Sequence, residues 1–301
     1  MPARFTRAGT LRFRPLSDPP MTETIETVRR RWFFRHPLTI RLAHWLNLIC
    51  LAVLLMSGLQ IFNAHPALYW GAASHFDTPL VAITDDQTPE GRARGVVTVG
   101  EHTFETTGWL GLSTANGEPA SRAFPAWATL PAGQDLATGR RWHFLFGWAF
   151  VINGLIYLAY GIGSGQLRRR IIPEGDQMRD LGGSIREHLT LHFPEGEEAK
   201  RYNVLQKLTY FAVIVVLLPL MVLTGLAMSP GVNAVVPLPD LFGGRQSART
   251  LHFVVTNLLV LFTIVHVVLV LVSGVWNNLR GMTTGWFVIE RSKVTQAGEV
   301  R

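Results

Sequence analysis

Ten histidines are spread along the chain, and four of them, His44, His143, His252 and His266, stand in long apolar stretches. An ionisable side chain in such a stretch is a functional signal, because holding it in hydrocarbon is costly. Spacing narrows the chemistry. His252 and His266 are 14 residues apart, about 3.9 helical turns, so they share a face about 21 Å apart along the axis. One tetrahedral zinc ion cannot take ligands over that span. A proton path would be expected to include membrane carboxylates, and these stretches contain none. The remaining six histidines, His36, His65, His75, His102, His188 and His192, fall in loops or flanks. His188 and His192 form an i,i+4 pair but lack a third ligand, and read as an ordinary loop pair.

Three of the four histidines follow an arginine by three residues: Arg41 and His44, Arg140 and His143, Arg249 and His252. Residues i and i+3 share a helix face. A guanidinium there, on the aqueous side of each histidine, matches a carboxylate such as a haem propionate. Cys50 is the single cysteine, so an intrachain disulfide, a thiolate cluster and a Cys-x-x-Cys-His haem attachment are all excluded.

The elements that must position these residues follow from composition. Hydrophobic residues make up 48% of the 301, charged residues only 16%, and mean hydropathy is +0.21. Windows 42–62, 142–163, 208–228 and 251–275 contain no Asp, Glu, Lys or Arg. Each is long enough to cross about 30 Å of hydrocarbon as a helix. This excludes a soluble enzyme, a disordered chain and a nucleic-acid binder. The sequence pI of about 10.2 reflects arginines at membrane borders. The expected organisation is helix 1 over 37–62, helix 2 over 138–163, helix 3 over 204–228 and helix 4 over 247–276. Loops cover 63–137, 164–203 and 229–246, with end segments 1–36 and 277–301. Residues 1–20 carry no apolar run, so they make no signal peptide; with Met21 as a second plausible start, they are expected to be dispensable.

Basic residues cluster before helix 1, after helix 2, before helix 3 and after helix 4, which puts both termini in the cytoplasm. Depth then pairs His143 with His252 near the outer surface and His44 with His266 in the inner half. Each pair can hold one iron from opposite faces of a porphyrin, an arrangement suited to electron transfer. The fold class expected is an all-α membrane protein. It is a four-transmembrane-helix bundle with a long periplasmic loop, containing a small hairpin around Gly100-Glu101-His102. Glycines 58, 147, 154 and 225 read as helix-packing residues without a site role.

The pattern of one histidine on helix 1, one on helix 2 and two on helix 4 resembles the four-helix di-haem cytochrome b superfamily. That group includes bacterial cytochrome b561 and the b-type cytochromes of nickel–iron hydrogenases. Stretches 41–47, 58–66, 243–252 and 275–280 are similar to the branch of thiosulfate-reductase cytochrome b-like subunits. The resemblance covers roughly residues 30–290. It implies two haem b groups on His44, His143, His252 and His266, quinone as exchangeable substrate, and residence in the bacterial inner membrane. It also implies a periplasmic molybdopterin oxidoreductase as partner. The first outer loop is much longer than in hydrogenase subunits, which favours a partner other than a hydrogenase. The loop carries Trp70, Trp109, Trp127 and an acidic group, Asp77, Asp85, Asp86 and Glu90, and reads as a docking surface or as a cap on the bundle. Two other readings stay open: a stand-alone quinone oxidoreductase acting on a small substrate such as superoxide, and a haem-free anchor.

Overall fold

The computed structural model describes residues 24–115, 117–167, 182 and 204–297. Residues 1–20, His188 and His192 lie outside the described residues. Four long helices dominate: α1 (Leu38–Phe62), α2 (Leu136–Gly163), α3 (Val204–Ala227) and α4 (Arg245–Val272). Pro37 precedes α1, and Asp135 caps α2 by accepting the Thr138 N–H at 3.0 Å. Within α3, residues Ala212–Leu217 widen into a π turn just before Pro219. Proline offers no N–H to the preceding turn and crowds its carbonyl, and a π turn is one way to absorb that mismatch. A shorter helix, α5 (Val275–Thr284), follows α4 after Gly274, whose φ of 103° turns the chain.

Close helix packing runs within two pairs, α1 on α2 and α3 on α4. Large apolar side chains such as Leu42, Ile49, Leu145, Leu155, Leu261 and Ile264 face outward and exposed. In water that surface would be prohibitive; it suits helices whose solvent is lipid.

The two ends of the bundle differ. On the terminal side, β1 (Thr24–Phe34) pairs antiparallel with β8 (Trp286–Ala297). The chain therefore enters α1 and leaves α5 from one ribbon, an arrangement absent from the sequence expectation. On the loop side, residues 63–135 build far more sheet than one hairpin. Strands β2 (Ala67–Leu68), β3 (Val81–Gln87), β4 (Ala93–Val99) and β5 (His102–Glu105) form an antiparallel sheet in sequence order. The β4–β5 hairpin pairs Val99 with His102 and turns at Gly100, φ 58°. A second ribbon pairs β6 (Gly111–Ala115) with β7 (Glu118–Arg122). The two sheets cross where Gly95 meets the Leu110–Leu112 backbone. A Cβ on Gly95 would stand 2.1 Å from the Leu110 carbonyl oxygen, and one on Gly111 2.1 Å from that of Thr84. Phe62, Leu68, Ile83 and Ala123 form the core of this cap, and Phe62 stacks on Phe253 of α4 at 5.0 Å. The cap is thereby seated on the helices.

Candidate functional site

The four histidines form two pairs. His143 of α2 faces His252 of α4 with ring centroids 6.3 Å apart. His44 of α1 faces His266 of α4 at 6.4 Å. Each pair joins one helix pair to the other. An imidazole nitrogen lies about 2 Å from a metal it ligates, and the ring centroid lies about 1 Å further back, so two imidazoles on opposite sides of one iron have centroids about 6 Å apart. The observed separations meet that requirement twice. Among the described residues no three His, Cys, Asp or Glu side chains converge on one point, so the donors come as pairs, the stoichiometry of axial haem ligation. The donor set and its spacing fit haem iron.

In the loop-side pair a hydroxyl stands beside each Nδ1. Ser57 Oγ donates its proton to the Val53 carbonyl at 2.6 Å, and its contact with His143 Nδ1 is 3.1 Å. Thr224 Oγ1 donates to the Leu220 carbonyl at 2.7 Å and lies 3.0 Å from His252 Nδ1. A hydroxyl has one proton, and each of these has carbonyls of its own preceding turn to receive it. Each oxygen therefore accepts from an Nδ1–H, which leaves both Nε2 lone pairs free for a metal. Gly58 and Gly225 complete the symmetry: a Cβ at either would come within 3.4 Å of the Cε1 of His143 or His252. Sequence reasoning gave these glycines no site role and passed over both hydroxyls. The signal was present as a repeated tripeptide, Ser57-Gly58-Leu59 and Thr224-Gly225-Leu226.

The inner pair is built differently. Among the described residues, His44 Nδ1 is buried without a hydrogen-bond partner. The His44 ring meets Trp45 edge-on, and Phe262 stacks on His266 at 5.8 Å. One turn above His44, Asn153 of α2 donates to the Ala43 carbonyl at 2.9 Å and to Asn47 Oδ1 at 2.6 Å. That buried polar clasp holds α1 against α2 beside the pair.

The three arginines take separate places. Arg41 donates to the Thr283 carbonyl at the end of α5. Arg140 is exposed, its guanidinium 5.6 Å from the Phe144 ring. Arg249 donates to the carbonyls of Ala67, at 2.7 Å, and of His65, and lies over Phe62. Thr250 adds a bond to the Tyr69 carbonyl and Ser247 accepts the Gly71 N–H, both at 2.7 Å. The start of α4, which carries His252, is thus pinned to the cap. His65 packs between Tyr69 and Phe76; burial, and then the nearby Arg249 charge, hold it below the usual histidine range.

Of the acidic group in the cap, Asp86 pairs with Arg94 at 3.0 Å and Asp85 accepts the Ser121 hydroxyl at 2.5 Å. The Arg94 bond holds the Asp86 carboxyl below the ordinary carboxylate range, helped by the Gln87 N–H. Glu90 has Arg92 at 3.9 Å. Two of the four acids, Asp86 and Glu90, therefore have an arginine neighbour within the cap.

The profile of the family described as prokaryotic cytochrome b561 matches residues 35–285. A protein of Azospira oryzae, provisionally named protein-methionine-sulfoxide reductase subunit YedZ1, is 27% identical over 237 residues, covering 78% of this chain and 89% of the relative. No solved structure matches at a significant level.

Proposed function

Because the chain belongs to the prokaryotic cytochrome b561 family of membrane haem b electron carriers, we propose that it is a quinone-linked di-haem subunit. It passes electrons between the membrane quinone pool and a redox enzyme docked on the cap. The observation that carries this reading is the pair of histidine–histidine separations, 6.3 and 6.4 Å. Haem held by these two histidine pairs would supply one-electron chemistry.

The chain's own residues do the rest. His143 and His252 hold the loop-side group, and His44 and His266 the terminal-side group. The 14-residue interval along α4 sets the two levels apart along the membrane normal. Exposed Arg140 is the arginine best free to meet a propionate, while Arg41 and Arg249 flank the two levels with their guanidiniums on backbone carbonyls. Pairing of β1 with β8 brings both chain ends to one face. With the arginines 29–31, 35 and 41 on that face, it is the cytoplasmic face of the inner membrane, and the cap is periplasmic. The Azospira relative's name as a reductase subunit supports a partner enzyme, and the resemblance to thiosulfate-reductase-type subunits points to a molybdopterin oxidoreductase.

Haem extraction from the purified chain tests the core of the reading. Two b haems per polypeptide are expected, and one or none would overturn it. His252→Leu should remove one haem and His266→Leu the other, separable by their reduction potentials. Co-purification with a molybdoenzyme and its reduction by quinol test the partner. Substrate oxidation by the isolated chain would instead make it a stand-alone enzyme.

A further inference from the structure

Ser57 and Thr224 occupy equivalent places on α1 and α3. Both are fully buried, at 0% exposure. Each opens the same hydroxyl–glycine–leucine tripeptide, with the glycine against the neighbouring histidine ring. Each has a carbonyl one turn back to take its only proton, which leaves its oxygen to accept from the imidazole. Both axial candidates of the loop-side pair are therefore hydrogen-bonded on Nδ1. In the terminal-side pair, His44 Nδ1 is buried with no partner among the described residues. The two sites have the same ligands and different support.

An acceptor on Nδ1–H draws the proton outward and makes the imidazole a stronger donor through Nε2. Stronger donation favours the more positive oxidation state of a bound iron. The effect is larger in a dry interior than in water, because no solvent competes for the proton. Gly58 and Gly225 keep the geometry: their missing side chains let each ring sit within reach of the hydroxyl beside it.

We propose that Ser57 and Thr224 are positioning residues that lower the reduction potential of the loop-side haem, by accepting hydrogen bonds from both of its axial histidines. The inference rests on the two-haem reading. It gives the levels unequal electron affinity through hydrogen bonding alone, with identical ligands.

The test uses the full-length protein in detergent or nanodiscs. Haem is first counted in the unaltered chain; fewer than two haems would sink the two-haem reading itself. With two present, redox titrations followed by visible absorption and by low-spin ferric EPR are compared for Ser57→Ala, Thr224→Val, the double variant and Thr224→Ser. One of the two components should become easier to reduce. Its oxidised-to-reduced ratio at fixed potential should fall about three- to tenfold in the double variant, the scale of losing ordinary hydrogen bonds. The same component's EPR signal should move while the other stays, and Thr224→Ser should restore the original behaviour. Unchanged potentials with both haems retained would overturn the proposal, as would equal shifts of both components. If Thr224→Val sheds its haem, Ser57→Ala, which removes a single oxygen, carries the same comparison.

Discussion

At His65 the ring is enclosed by Tyr69 and Phe76, and its main-chain carbonyl accepts from Arg249. Its folded pKa lies below the unfolded value, about 6.5, through burial and the Arg249 charge. The unfolded loop therefore binds more protons than the docked one once the pH drops under that value. Stability rises with pH wherever this holds. Attachment of the cap should be full above pH about 6.5 and weaken as the pH falls towards the depressed folded value. Limited trypsin digestion across that window should show faster cleavage within 63–135 at the acid end. His65→Gln should flatten the dependence, and an unaltered profile in that variant would assign the effect elsewhere. Arg249 makes a companion case. Arg249→Ala removes the guanidinium from the Ala67 carbonyl and leaves the His65 carbonyl with the Ala67 N–H alone, a loss of about 1–3 kcal/mol. Cleavage within 63–135 should then accelerate at every pH. The His143 and His252 rings lie deeper, so low-spin absorption is expected to survive that change. Sequence reasoning reached the four histidines by their placement in apolar stretches. It missed Ser57 and Thr224 because a hydroxyl in a membrane helix usually bonds its own preceding turn; both also do that here. Their second contact, with a ring on another helix, exists only in three dimensions.

At the scale of elements, the crossing of the two cap sheets depends on Gly95 and Gly111. Replacing Gly95 by alanine would drive a methyl carbon to 2.1 Å from a backbone oxygen. The cap should lose its fold while the four spans remain. Proteolysis within 63–135 should rise several-fold in Gly95→Ala, with low-spin haem absorption largely kept. Loss of both together would mean that the cap and the histidine pairs fold as one unit. The alternating stretch from Gly95 to Thr107 contains the β4–β5 hairpin turning at Gly100. The remaining strands were not legible, since β6 and β7 run through Gly111-Leu-Ser-Thr-Ala115 and Glu118-Pro-Ala-Ser-Arg122. Such short, small-residue segments carry little periodicity and take their conformation from neighbours. The π turn before Pro219 was equally hidden. A proline in an apolar window signals a break, but how the helix absorbs it depends on packing around the widened turn.

For the whole molecule, the decisive feature is that one end carries a folded cap above the His143–His252 level and the other carries the β1–β8 ribbon and α5. If the cap docks a redox partner, trimming the exposed β3–β4 tip at 88–92 should leave haem content intact and reduce partner-dependent electron flow several-fold. Because Asp86 and Glu90 already have arginine neighbours, that coupling should depend only weakly on salt, in contrast to a strongly steered encounter. Equal coupling in the trimmed chain, measured as quinol-dependent reduction of the partner, would make the tip a passive part of the cap. Four charge-free windows determined the membrane bundle from sequence alone, and four histidines within them marked the candidate site, because hydrocarbon admits few backbones and tolerates few ionisable groups. Depth along the helices then anticipated which histidines meet, since a helix rises by a fixed amount per residue. Only the tertiary structure decided how each pair is held: hydroxyls from α1 and α3 on one, a buried nitrogen with no partner among the described residues in the other. It also decided that Arg249 clasps the cap and that the strand before α1 pairs with the strand after α5. Those outcomes come from contacts between residues as far apart as Thr24 and Ala297, and no local pattern encodes such distances.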